Sequence, residues 1–139
     1  MGNSVSLVQR VEAESVLRVD LRVGTQLPIQ TSAIGRIILA EMSQQAREQI
    51  LDALEMSKAE RRKTDRAIEA ARQEGCAIVR NIPVEGISAI AVAVRTSTQG
   101  PLAGLVVAAP TFRFNPDAFR SALTRTASLI AARAGPRPR

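Results

Sequence analysis

The sequence predicts an α+β domain, a mainly antiparallel β-sheet with helices packed on it. Three observations support this. Residues 5–23 and 76–110 are rich in Val, Ile, Leu and Ala in runs of strand length. Residues 31–74 instead carry apolar stripes at helical spacing, with cap residues between them. The pattern types come in blocks: two strands, three helices, three strands and a helix. Blocks of strands with segregated helices describe an α+β sandwich, whereas a doubly wound parallel sheet alternates strand and helix.

The elements follow in order. Val5 to Val11 alternates apolar and polar residues and reads as a strand. Val16 to Val23 reads as a second, with Arg18, Asp20 and Arg22 turned to solvent, and Glu12 to Ser15 links the two as a hairpin. Gly24 to Pro28 breaks the pattern. Thr31 or Ser32 caps a helix whose stripe is Ile34, Ile37, Ile38 and Met42. Ser43 opens a short helix with Ala46, Ile50 and Leu54 on one face and Arg47, Glu48 and Asp52 on the other. Lys58 to Glu74 is a third helix, burying Thr64, Ala67, Ile68 and Ala71 and ending at Gly75. Its other side alternates acids and bases, the pattern of a salt-bridged solvent face. Cys76 to Ile82, Ile87 to Thr96 and Leu102 to Pro110 read as strands, the middle one apolar enough to be buried on both faces. Ser97 to Pro101 supplies a turn. Asn115 caps the last helix, with Pro116 at its first position and Phe119, Leu123, Ala127 and Ile130 along it.

A length of 139 residues suits one domain, and 45% hydrophobic content supplies its core. With three Phe and neither Tyr nor Trp, the chain lacks the aromatic platforms that single-stranded nucleic-acid binders use. The net charge is +6, from 17 Arg and two Lys spread between Arg10 and Arg139. Charge so scattered reads as a solvated surface, not a nucleic-acid footprint, and residues 135–139 as a disordered basic tail. Cys76 is the only cysteine and there is no His. An internal disulfide is therefore excluded, a zinc site nearly so, and a Ser–His–Asp or Cys–His arrangement cannot be assembled. Cys76 reads as a small core residue, and Asp65, Glu69 and Glu74 as partners of surface Arg. The expectation is a cytoplasmic protein that is not an enzyme, carries no cofactor and spans no membrane. One feature invites a ligand. Gln30 to Gly35 sets small and polar residues at a helix start, where free N–H groups and the helix dipole favour an anion. The same residues also describe a capped helix that binds nothing.

Arg22 to Ala40, RVGTQLPIQTSAIGRIILA, resembles the signature of the IclR family of bacterial transcription regulators. The family's effector domain carries a pattern near R-x-G-x-x-x-P-L-H-A-S/T-A-x-G-K-A-x-L-A. Gly75-Cys76-Ala77, Gly86 with Ala89 to Val94, and Ala103 to Pro110 resemble later family motifs. The resemblance covers about residues 5–134. It implies a GAF-like fold that senses a small-molecule effector and forms homodimers or homotetramers. It also implies an N-terminal winged helix-turn-helix domain as the only part that contacts DNA. Residues 1–134 are accordingly expected to be the effector-binding domain, with that DNA-binding domain absent.

In family members that take small polar acids, the pocket combines backbone amides at the helix start with an acidic residue, a thiol and two hydroxyls. The resemblance places the amides on Ala33 and Ile34, the acid on Val79, the thiol on Ala89 and the hydroxyls on Val106 and Ala108. Val16, Val19 and Ile87 fall on its walls. Each polar side chain is thus replaced by an apolar one, which implies a hydrophobic or aromatic organic acid. The alternative is an oligomerisation module whose collapsed pocket binds no effector.

Overall fold

The computed structural model describes residues 4–6, 26–82, 84–95 and 103–133. The elements are β1 (Ser4–Ser6), β2 (Gln26–Pro28), α1 (Ala33–Glu41), α2 (Gln44–Ala53), α3 (Lys58–Glu74), β3 (Ala77–Arg80), β4 (Ile87–Val94), β5 (Ala103–Pro110) and α4 (Pro116–Arg133). A single 3-10 turn, Thr111–Arg113, joins β5 to α4. The described strands form an antiparallel β1–β2 pair and an antiparallel β3–β4–β5 sheet, so the fold is α+β as the residue pattern predicts.

The helix ends are set locally. Ser32, Ser43 and Ser57 hold extended backbone, and each side-chain oxygen accepts from the N–H three residues on. At Ser57 the exchange is mutual, since Glu60 accepts from the Ser57 N–H at 3.1 Å. Gly75 ends α3 at φ 76°, a left-handed conformation that a residue without Cβ adopts most readily. Asn115 Oδ1 accepts from the Ala118 N–H at 3.2 Å and starts α4.

The sheet is covered on both sides. Alternate residues of a strand point to opposite faces, and directly paired residues share a face. Ala77, Val79 and Ala91 join Ile29, Ile37, Leu39 and Ile68 in one apolar cluster under α1 and α3. Ile90, Val92 and Val94 join Cys76, Leu123 and Ala127 in a second cluster under α4. The central strand β4 is therefore buried on both faces, with Ser88, Ile90 and Ala91 fully inaccessible. The Ser88 hydroxyl is 2.8 Å from Thr111 Oγ1, which donates to Asn81 Oδ1; that oxygen also accepts from the Gly86 N–H. Asn81 takes the left-handed φ of 62° that ends β3.

One local expectation is corrected and one is extended. Gln26–Pro28, read as a break, is strand β2, paired with Ser4–Ser6. Proline is tolerated there because it sits at the strand end, where a missing N–H costs no ladder bond. In α2, Ile50 and Leu54 pack half-buried against the core as the stripe predicts, and Leu51, which the stripe omits, is the buried residue. A ten-residue helix with few apolar positions does not define a unique stripe by sequence alone, and docking beside Ile68 of α3 selects Leu51. The expected hairpin linking residues 11 and 16, the turn at 97–101 and the tail at 135–139 lie outside the described residues.

Candidate functional site

The strand register brings the expected side chains together. Val79 pairs with Ala89, and Ala89 with Ala108, so the three form one row across the sheet. Ala77, Ala91 and Val106 form the next row, and Ile87 pairs with Pro110 at the other side. All lie on the face that α1 covers. Exposure rises along the first row: Val79 is buried, Ala89 half-buried and Ala108 exposed. Val16 and Val19 lie outside the described residues.

Ala33 and Ile34 are the first two residues of α1 and are 2% and 7% exposed. Ser32 occupies the N–H of Gly35 at 3.0 Å, and its own hydroxyl donates to the Pro28 carbonyl at 2.6 Å. Among the described residues, no acceptor engages the N–H of Ala33 or of Ile34. A covered helix start with unpaired N–H groups is unusual, and an acceptor brought by another molecule would satisfy them. The same turn holds a buried acceptor without a partner, Gln30 Oε1.

Two glycines that the residue pattern left unassigned shape this region. A Cβ on Gly35 would stand 2.2 Å from the Ile29 carbonyl oxygen. A Cβ on Gly104 would stand 2.5 Å from Ile34 Cδ1, so the bare backbone of β5 is what seats Ile34. A lone glycine inside an apolar strand is the sequence signal for such a close approach.

No acidic side chain belongs to the strand rows. Glu41, at the far end of α1, is held by Arg95 through two hydrogen bonds of 3.0 and 2.6 Å. Arg36, one turn into α1, donates from Nε to the Gln30 carbonyl at 3.0 Å, and burial pushes its pKa down. The acids expected to serve as ion-pair partners do so: Asp65 with Arg61, Glu69 with Arg72, and Glu74 with Arg120. Cys76 is a free, buried thiol. Among the described residues no group of three His, Cys, Asp or Glu is placed to hold a metal, and no helix is long and apolar enough to cross a membrane.

Residues 1–132 match the model of the bacterial transcriptional regulator IclR C-terminal domain. The chain belongs to this family and is an IclR-type C-terminal regulatory domain. It is 27% identical over 125 residues to the HTH-type transcriptional regulator KdgR of Escherichia coli K12, covering 83% of this chain and 46% of KdgR. The chain thus spans about half the length of the curated relative it matches. The IclR structure from Thermotoga maritima shares the fold with a TM-score of 0.85 at 20% identity, over 96% of this chain and 58% of that one. The repressor BlcR of Agobacterium tumefaciens does so with a TM-score of 0.79 at 18% identity, over 99% and 58%. The protein named in the sequence match is a transcriptional regulator.

Proposed function

We propose that this domain senses a small apolar or aromatic organic acid, with the carboxylate on the amides of Ala33 and Ile34. The body of the ligand would lie against Val79, Ile87, Ala89, Val106 and Ala108, with Val16 and Val19 completing the wall. The observation that carries the reading is a covered helix start with two N–H groups that no acceptor among the described residues engages. Backbone amides and the positive end of the helix dipole select an anion. An apolar row lacking hydroxyl, thiol and carboxylate groups selects the rest of the molecule against polar acids. The domain would act as a homodimer or homotetramer in which the ligand favours one packing, while DNA is contacted by a separate N-terminal domain of the full regulator.

The test is thermal unfolding across a panel of aromatic monocarboxylates and short polar diacids. A ligand at a hundredfold excess over its Kd stabilises by about 2.7 kcal/mol. The aromatic acids should raise the Tm, the diacids should not, and Ala89→Asp should abolish the rise by setting a charged group against the ligand's apolar body. A flat response to every acid would remove the sensing reading. One contact favours a second reading, an oligomerisation module with a filled pocket: Ile34 already occupies the space over Gly104. Light scattering that shows a stable oligomer, together with that flat response, would select it.

A further inference from the structure

A second cleft lies beside β3, and its lining contains neither Ala33 nor Ile34. β3 is an edge of the described sheet. Residues of α3 and the first turns of α4 border a cleft there of about 320 Å3. The uncharged lining is Ala67, Ala70 and Ala71 of α3, Pro116 of α4, Ala77, Ile78 and Ile90 of the strands, and the thiol of Cys76 between α3 and β3. None of these belongs to the row Val79–Ala89–Ala108, and the volume falls at the small end of the range for small-molecule pockets.

Four charged side chains also line the cleft: Arg36, Glu74, Asp117 and Arg120. They are not equivalent. Arg120 is committed to Glu74, with Nη1 at 3.6 Å from Oε2 and Nη2 donating to the Glu74 carbonyl. Asp117 lies in the first turn of α4, where the helix start stabilises a carboxylate. Arg36 has no such counterpart. Its Nε is used by the Gln30 carbonyl, and no described carboxylate forms an ion pair with it. A half-buried guanidinium beside an alanine-lined wall, with no partner for its Nη edge among the described residues, matches a planar carboxylate.

We propose that this cleft binds a small monocarboxylic acid with a compact apolar body, the carboxylate held by Arg36 and the body seated on the alanines of α3. The charge balance sets the valence. A second negative charge on the ligand would meet Glu74 and Asp117 on the same lining and gain no free cation, because Arg120 is spent on Glu74. The alanine wall sets the rest, since it offers contact area and no hydrogen-bonding side chain.

The experiment is a titration of the 15N-labelled full chain with benzoate, isobutyrate and, as a dianion, succinate, followed by backbone amide shifts. Benzoate or isobutyrate should move the amides of Ala67, Ala71 and Ile78 saturably, and succinate should bind more weakly. R36Q should weaken the binding by at least about tenfold, equivalent to 1.4 kcal/mol, and R36K by less. A70L, at an exposed helical position where leucine is well tolerated, should block binding by filling the cleft while leaving the fold intact. Absence of saturable shifts at these amides with all three acids would overturn the proposal. So would benzoate binding of unchanged affinity in A70L or in folded R36Q. Shifts at Ala33, Ile34 and Ala89 report the helix-start site in the same spectra, so either site can fail without the other.

Discussion

Gly35→Ala is the substitution whose sign is most informative. In an ordinary helix, alanine is favoured over glycine by about 1 kcal/mol, because glycine loses more backbone freedom on folding. At position 35 the new Cβ would lie 2.2 Å from the carbonyl oxygen of Ile29, 2.6 Å from its Cα and 2.7 Å from its carbonyl carbon. Real Cβ atoms essentially never approach another atom within 3.0 Å. The turn before α1 must therefore retreat by most of an ångström. It has little room to do so, since Ile29 is 3% exposed and the Pro28 carbonyl holds both the N–H and the hydroxyl of Ser32. Overpacking against immobile neighbours costs about 1–3 kcal/mol, and a clash with three backbone atoms belongs at the upper end. Setting this against the helix gain leaves a net loss of about 2 kcal/mol. For a chain of this length the Tm should fall by about 6–10 °C. Thermal unfolding followed by circular dichroism, with urea unfolding as a two-state check, measures it. A Tm equal to or above that of the parent would refute the close approach, because propensity alone predicts an increase.

Ser57→Ala removes the hydroxyl that accepts from the Glu60 N–H, leaves the backbone N–H that donates to the Glu60 carboxylate, and should cost about 1 kcal/mol, read as a lower urea midpoint with an unchanged slope. Ser88→Ala removes a fully buried hydroxyl whose partner, Thr111 Oγ1, keeps its bond to Asn81; the loss should be about 1 kcal/mol by the same assay, and a neutral result would exclude a stabilising role for the chain Ser88–Thr111–Asn81. Burial pushes the Cys76 thiol pKa up, with Arg120 opposing and Glu74 adding. The folded state then holds that proton more tightly than the unfolded chain does. The stability contributed by this thiol is full below the unfolded value of about 8.5 and falls as the pH rises above it. Between neutral and alkaline pH the urea midpoint should therefore drop further in the parent than in Cys76→Ala, and parallel pH profiles would contradict the burial effect.

Much of this protein is legible in its residues taken in order. Ser32, Ser43 and Ser57 each precede an apolar or charged stripe of helical period, and Gly75 follows one, so helix boundaries are decided by groups within a turn of each other. β4 is apolar at nearly every position because both of its faces are covered, which the composition of Ile87 to Val94 already states. The family signature at Arg22 to Ala40 is equally local. Where stripes are weak, as in α2, the residues permit several faces, and packing beside Ile68 chooses Leu51. Tertiary structure alone decides which distant side chains share a row, because register depends on pairing between segments, and a slip of one residue would turn Val79, Ala89 and Ala108 to opposite faces. It also decides that Gly35 and Gly104 are sites of close approach, and that Arg36, an unremarked part of a motif in the sequence, lines a cleft at the sheet edge. Caps and periodicity act between neighbours in the chain, whereas a cleft is made by helices and strands whose meeting no local pattern records.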